Sequence, residues 1–177
     1  MIEKEPAVLF PEKMILERVR ELARKICEDY ADVEEILMIG VLRGCYIFLA
    51  DLSRFITIPR SIDFIAVSSY GHETVRGTLR LVMDTRTDIS GKHVLIIEDI
   101  VDTGHTLGYL LKMLAARRPA SLKSCVFLRK PDRLETEVHI DYLGFDIPDL
   151  WVVGYGLDYA DRYRALPYVG YIENEGG

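Results

Sequence analysis

The sequence has little cysteine, no long apolar run and no surplus of positive charge. Cysteine occurs only as Cys27, Cys45 and Cys125. An odd, sparse and unpatterned set reads as reduced thiols, which predicts a cytoplasmic protein rather than a disulfide-stapled one. The favoured role for each is small apolar filler, with a catalytic thiol as the alternative. No stretch reaches the roughly 18 apolar residues of a membrane span, so no membrane partner is expected. The opening MIEKEPAVLFPEKM has no basic segment followed by a long apolar one, so no signal peptide is expected. Twenty-two Lys and Arg against 28 Asp and Glu give a net charge of -6, which disfavours a nucleic-acid surface. Repeats, low-complexity segments and linkers are missing as well. So are two common phosphate motifs. A Walker loop around Gly91-Lys92 would need glycine where Arg86 stands and Ser or Thr where His93 stands. A dinucleotide fingerprint beginning at Gly154 and Gly156 meets Tyr159 at its third glycine position.

What remains is an ordinary globular composition, 49% apolar and 28% charged over 177 residues, enough for one domain with a real core. Ile15, Val19, Leu22, Ala23 and Ile26 recur at helical spacing and predict an amphipathic helix from Pro11 to about Ala31. Short apolar runs predict strands at Ile36–Val41, Ile62–Ser68, Val94–Ile97, Leu122–Leu128 and Trp151–Val153, with a last one at Tyr168–Ile172. Helices are predicted at Tyr46–Phe55 and Leu107–Ala116. His72–Thr78, bracketed by Gly71 and Gly77, reads as a solvated loop. Strands alternating with helices indicate an α/β fold with a mostly parallel sheet. Ligands in such sheets bind beyond the carboxyl ends of the strands.

The segment VLIIEDIVDTGHTL, Val94 to Leu107, carries the most chemistry. An apolar strand runs into Glu98 and Asp99, then Ile100 and Val101, then Asp102-Thr103-Gly104-His105-Thr106 at the start of a helix. Free backbone N–H groups and two threonine hydroxyls at the positive end of a helix dipole make an anion site suited to a phosphomonoester. Two acids beside a phosphate make sense if they hold ribose hydroxyls, or a magnesium ion on those hydroxyls. Asp102 or Thr103 alone would more simply cap the helix; the whole string argues for a sugar-phosphate site. Elsewhere the residues alone leave blander readings open. Arg43-Gly44 is a strand-end turn, Lys130 before Pro131 is surface decoration, and Trp151 is a core tryptophan.

From about Glu35 to Ile172 the chain resembles the type I phosphoribosyltransferases, in particular the hypoxanthine-guanine phosphoribosyltransferases. The Val94–Leu107 stretch looks like that family's signature for phosphoribosyl pyrophosphate. The resemblance implies a Rossmann-like twisted, mostly parallel sheet flanked by helices, with a small hood and a mobile lid. It implies one domain over 1–177, with the core at about 35–130 and the hood built from the N-terminal segment and about 131–177. It implies magnesium as cofactor and a homodimer or homotetramer. Glu98 and Asp99 would contact the ribose hydroxyls and the metal, and Asp102 would take a proton from the purine. Thr103, Gly104, His105 and Thr106 would wrap the 5′-phosphate. Leu42, Arg43 and Gly44 would bind pyrophosphate through backbone groups, with a non-proline cis peptide between Leu42 and Arg43, and Arg164 would bind it too. Ser69 and Tyr70 would belong to the lid. Lys130 would donate to the purine 6-oxo group, Trp151 would stack on the ring, and Val152 would hold it through the backbone. Asp158 would bind a second magnesium beside the purine. Arg133 matches a position whose spacing after Lys130 varies in the family.

These roles imply displacement at the anomeric carbon of ribose by a 6-oxopurine, with pyrophosphate leaving through an oxocarbenium-like transition state. The acidic charge and the short N-terminal segment argue against a sensor that binds nucleic acid. Against other bases such as uracil or adenine, Lys130, Trp151 and the GYGLDY segment argue for a 6-oxopurine, without ranking hypoxanthine, guanine and xanthine. The intact acids and Thr-Gly-x-Thr string argue against an inactive protein of the same fold.

Overall fold

The computed structural model describes residues 5–70 and 78–172. Its strands are β1 (Ala7–Phe10), β2 (Ile36–Leu42), β3 (Arg60–Tyr70), β4 (Thr78–Met83), β5 (His93–Val101), β6 (Ser121–Arg129), β7 (Tyr142–Asp146), β8 (Val152–Val153) and β9 (Val169–Tyr171). Its helices are α1 (Glu12–Asp29), α2 (Tyr46–Phe55) and α3 (His105–Ala115), with a 3₁₀ turn at Pro131–Arg133. Six strands form one sheet in the order β4-β3-β2-β5-β6-β7, parallel throughout except for the antiparallel pair β3–β4. β1, β9 and β8 form a separate antiparallel sheet.

The central strands read as apolar runs because both faces are covered. Along β5, Leu95 and Ile97 join the core that holds α1 and α2, whereas Val94 and Ile96 join the core that holds α3. β2 divides likewise: Ile36 and Met38 face the first core, Leu37 and Ile39 the second. Gly40 has no side chain because α2 leaves no room: a Cβ there would lie 2.7 Å from Leu49 Cδ2. This packing brings the ends of β2, β5 and β6 to one edge of the molecule, where the candidate residues lie.

The mostly parallel α/β architecture agrees with the sequence reading, and α2 spans the predicted residues. Several boundaries differ. β5 continues through Glu98 and Asp99 to Val101, because β6 pairs with it that far. Thr78, read as loop, begins β4. Trp151 lies just outside β8. β1, β4 and β7 were not expected from the sequence. Among the described residues no helix is long and apolar enough to cross a membrane.

Candidate active site

The end of β2 turns through Leu42, Arg43 and Gly44 into α2, and the Leu42–Arg43 peptide is cis, as the resemblance implied. This turn borders a cavity of about 310 Å³ that Glu98, Asp99, Thr106, Asp158 and Arg164 also line. A larger depression of about 670 Å³, around Asp32, Glu35 and His93, contains none of the expected site residues. Glycine at position 44 is a geometric need. A Cβ there would overlap the Asp99 carboxylate. Gly156, at φ +102°, in turn lies against the Gly44 carbonyl. Tyr155, Ala160, Asp161 and Tyr163 also take positive φ, so the strand-to-strand loop over the cavity is held in conformations that cost energy.

The two acids of β5 are poorly compensated. Glu98 is buried, and its Oε2 has no hydrogen-bond partner. Burial, and then the neighbouring Asp99, push its carboxyl well above the usual range. Burial also pushes Asp99 up to about 6, against lowering by the Asp99 and Ile100 backbone amides and by Arg164. A carboxyl with a raised folded pKa stabilises the fold while protonated, and that contribution is lost as pH rises through the folded pKa. The ligand-free protein is therefore expected to lose thermal stability as pH rises from about 4 to about 6, from the ordinary aspartate value to the folded Asp99 value. Asp29, Asp63, Asp84, Asp146 and Asp149 are shifted down, so their opposite contribution is lost only at lower pH. Melting curves across this window should flatten in a Glu98→Gln, Asp99→Asn double variant; an unchanged slope would assign the effect elsewhere.

Arg164 closes the far side. Its guanidinium donates to the Gly156 carbonyl (2.8 Å), pairs with Asp158 (2.6 Å) and reaches Asp161 (3.2 Å). Asp161 also pairs with Arg43 at 2.7 Å. Both arginines near the Leu42–Gly44 turn thus already hold a carboxylate. Asp161 was not legible in the sequence, because it meets Arg43 only through the packing of the two turns.

Past β5, Gly104 takes φ +85° and forms the N-cap of α3, with no side-chain cap bond from either threonine. A Cβ on Gly104 would collide with the Thr136 carbonyl. Glu135 and Thr136 both donate backbone N–H to the Thr103 carbonyl at 3.0 Å. His105 spans the Glu135 carboxylate (2.8 Å) and the Thr136 hydroxyl (2.9 Å) and is exposed. The segment after β6 therefore braces the loop from outside, and the His105 side chain points to that brace.

Asp102 faces cations. Arg133 Nε donates to Asp102 Oδ1 at 2.8 Å, and Lys130 Nζ lies 3.7 Å from Oδ2. Lys130 is buried and donates to Asp149 at 3.2 Å. Lys130 and then Arg133 hold the Asp149 carboxyl below its usual range. Arg133, left open by the sequence, thus belongs beside Asp102, and Asp149 is a further residue that the sequence did not indicate. Val152 is buried in β8, whereas Trp151 is 57% exposed and stands edge-on to Tyr159 at 5.7 Å. An exposed indole is no core filler; a flat ligand could stack on it. Ser69 and Tyr70, expected in a lid, end β3 paired with Leu79 and Thr78, and residues 71–77 lie outside the described residues. Cys45 is buried with its thiol pushed up by burial and by Asp99 and Glu98, which supports the filler reading over a nucleophile.

Residues 9–160 match the family model for the phosphoribosyl transferase domain. The hypoxanthine-guanine phosphoribosyltransferase of Dictyostelium discoideum is 49% identical, over 95% of this chain and 96% of its own. The chain belongs to the hypoxanthine-guanine phosphoribosyltransferase family. The hypoxanthine phosphoribosyltransferase of Salmonella typhimurium is 47% identical over 93% of this chain and 94% of its own. The Trypanosoma cruzi hypoxanthine phosphoribosyltransferase, solved in complex with the product IMP, superposes with a TM-score of 0.91 at 43% identity, covering 99% of each chain. The six-stranded sheet with its helices is thus the type I phosphoribosyltransferase fold.

Proposed function

We propose that this protein transfers the 5-phosphoribosyl group of phosphoribosyl pyrophosphate to hypoxanthine or guanine, giving IMP or GMP and pyrophosphate in purine salvage. The observation that carries this reading is the pairing, at one end of the sheet, of a helix start suited to an anion and two adjacent acids, one with an orphaned buried oxygen, with a buried lysine donor. IMP in the Trypanosoma cruzi relative supports a 6-oxopurine as the base.

In this reading the backbone of Thr103 to Thr106 holds the 5′-phosphate at the positive end of α3. Glu98 and Asp99 hold the ribose hydroxyls. The backbone of the turn Leu42–Gly44 and the Arg164 side chain receive pyrophosphate as its charge develops, which requires Arg164 to exchange Asp158 and Asp161 for the phosphates. Asp102 takes the ring proton of the purine, and so raises the nucleophilicity of the nitrogen that attacks the anomeric carbon. Lys130 donates to the 6-oxo group, Val152 holds the ring edge through its backbone, and Trp151 covers a face. Ser69 and Tyr70 lead into a lid that excludes water.

The site also fits magnesium. No cluster of three or more His, Cys, Asp or Glu suited to a metal occurs among the described residues. Magnesium, however, is commonly held by one or two carboxylates together with substrate oxygens and water. Glu98, with its orphaned buried oxygen, and Asp99 offer that pair, and Asp158, now paired with Arg164, offers a second position. Bound there, the ion would hold the ribose hydroxyls and neutralise charge on the pyrophosphate.

The smaller sheet β1-β9-β8 and the loop after β8 are read as the hood of a single domain. A cytoplasmic location, consistent with three free thiols, and a homodimer or homotetramer complete the proposal. A panel of purine bases with phosphoribosyl pyrophosphate and magnesium tests it. Nucleotide should form from hypoxanthine and guanine, with adenine slower by about 10²-fold or more, because the buried Lys130 donor would be left unpaired. No turnover with any oxopurine would overturn the reading.

A further inference from the structure

Four side chains between the phosphate loop and the purine side form a closed ring of alternating charge. Arg133 Nε donates to Asp102 Oδ1 at 2.8 Å, and Arg133 Nη1 reaches Asp149 Oδ2 at 3.5 Å. Lys130 Nζ donates to Asp149 Oδ1 at 3.2 Å and lies 3.7 Å from Asp102 Oδ2. We propose that Asp149 is a positioning residue for transfer to the base: it retains Lys130 and receives Arg133 when the purine displaces Arg133 from Asp102. The inference rests on the roles given above to Asp102 and Lys130.

A carboxylate whose oxygen is engaged by a guanidinium cannot take the purine proton at that oxygen. Arginine stays charged at any working pH, so the guanidinium must move rather than deprotonate. Arg133 is free to do so, since it ends an exposed 3₁₀ turn. Asp149 Oδ2 already lies beside its Nη1, so a small swing exchanges one carboxylate for the other. Lys130 needs the same partner for a different reason. Its side chain is only 9% exposed, so its charge has little water to lean on. An ammonium has three donors; with one on Asp149, others remain for a 6-oxo group. If Asp149 lost its charge, Asp102 would be the one acid left in the ring facing two cations. Both would draw onto it, and the base would be masked. The rival account is that these pairs are half-exposed surface contacts, which usually contribute little.

A double-mutant cycle separates the two. Asp149→Asn keeps the shape and an acceptor for Lys130 but removes the charge. It is expected to lower kcat/KM for hypoxanthine by about 10-fold or more, the scale of a charge-assisted hydrogen bond. KM for phosphoribosyl pyrophosphate should stay within about twofold, since no ring member other than Asp102 neighbours that site in sequence. In an Arg133→Gln background the same substitution should cost much less, and Asp149→Glu should restore part of the loss. Equal costs in both backgrounds, or an Asp149→Asn protein within about twofold of the unsubstituted one, would overturn the inference. Unaltered melting and phosphoribosyl pyrophosphate binding establish that each variant is folded. Turnover of hypoxanthine by the unsubstituted protein tests the underlying function separately, so the two failures are distinguishable.

Discussion

Replacing Asp102 by Asn or Ala is expected to slow nucleotide formation by about 10²–10⁴-fold, the usual contribution of a positioned general base. Affinity for phosphoribosyl pyrophosphate should change little. The expectation follows from where the residue stands. Glu98 and Asp99 lie within β5 and border the cavity with Arg164, whereas Asp102 lies past the strand end and turns toward Lys130 and Arg133. Asparagine keeps the shape and the contact to Arg133 but cannot take the proton. Calorimetric titration with phosphoribosyl pyrophosphate and magnesium, beside steady-state turnover, separates the possibilities. Loss of binding in step with turnover would show that Asp102 holds the sugar phosphate instead.

The elements that carry this chemistry were legible to different degrees. β5 announced itself by four aliphatic residues, and the acid pair by its place directly after them. Its true end at Val101 was hidden because polarity looks like a boundary, whereas the ladder to β6 carries the strand on past Glu98. The missed strands have similar causes. β1 is only four residues long and is held by β9 from the far end of the chain, a pairing that no local pattern reports. β7 has Gly144 in its middle, which weakens a strand signal; the glycine is there because a Cβ would strike the Phe127 carbonyl. β4 begins at Thr78, the last residue of the expected loop, and residues 79–83 carried no assignment. In the site, family resemblance supplied Lys130, Asp158, Arg164 and the cis peptide. Asp149 and Asp161 came from neither source. Each is an unremarkable acid in the sequence and gains meaning only when the packed loops bring arginines to it.

A methyl group at position 44 is expected to do more damage than its size suggests. In Gly44→Ala the new Cβ would overlap Oδ2 and Cγ of Asp99 and approach Oδ1 to 3.1 Å. The backbone cannot easily retreat, because the Gly44 carbonyl already lies against Gly156, itself fixed at φ +102°. Asp99 is therefore the part that gives. Displacing a positioned group by about 1 Å can cost about 10²-fold in rate, and here the group is a ligand for ribose and magnesium in the proposed mechanism. Overpacking also costs about 1–3 kcal/mol of stability, a few degrees in Tm, so the protein should still be folded at ordinary temperature. The signature differs from that of Asp102: affinity for phosphoribosyl pyrophosphate with magnesium should fall together with turnover. Gly91→Ala is the control. Its φ of +70° carries a backbone penalty of its own, but a Cβ there meets nothing within 4 Å, and it lies at the opposite end of β5. Gly91→Ala should lower Tm and leave affinity intact. If Gly44→Ala bound phosphoribosyl pyrophosphate as tightly as Gly91→Ala, the contact between the Leu42–Gly44 turn and Asp99 would not be what sets the geometry of the sugar-phosphate site.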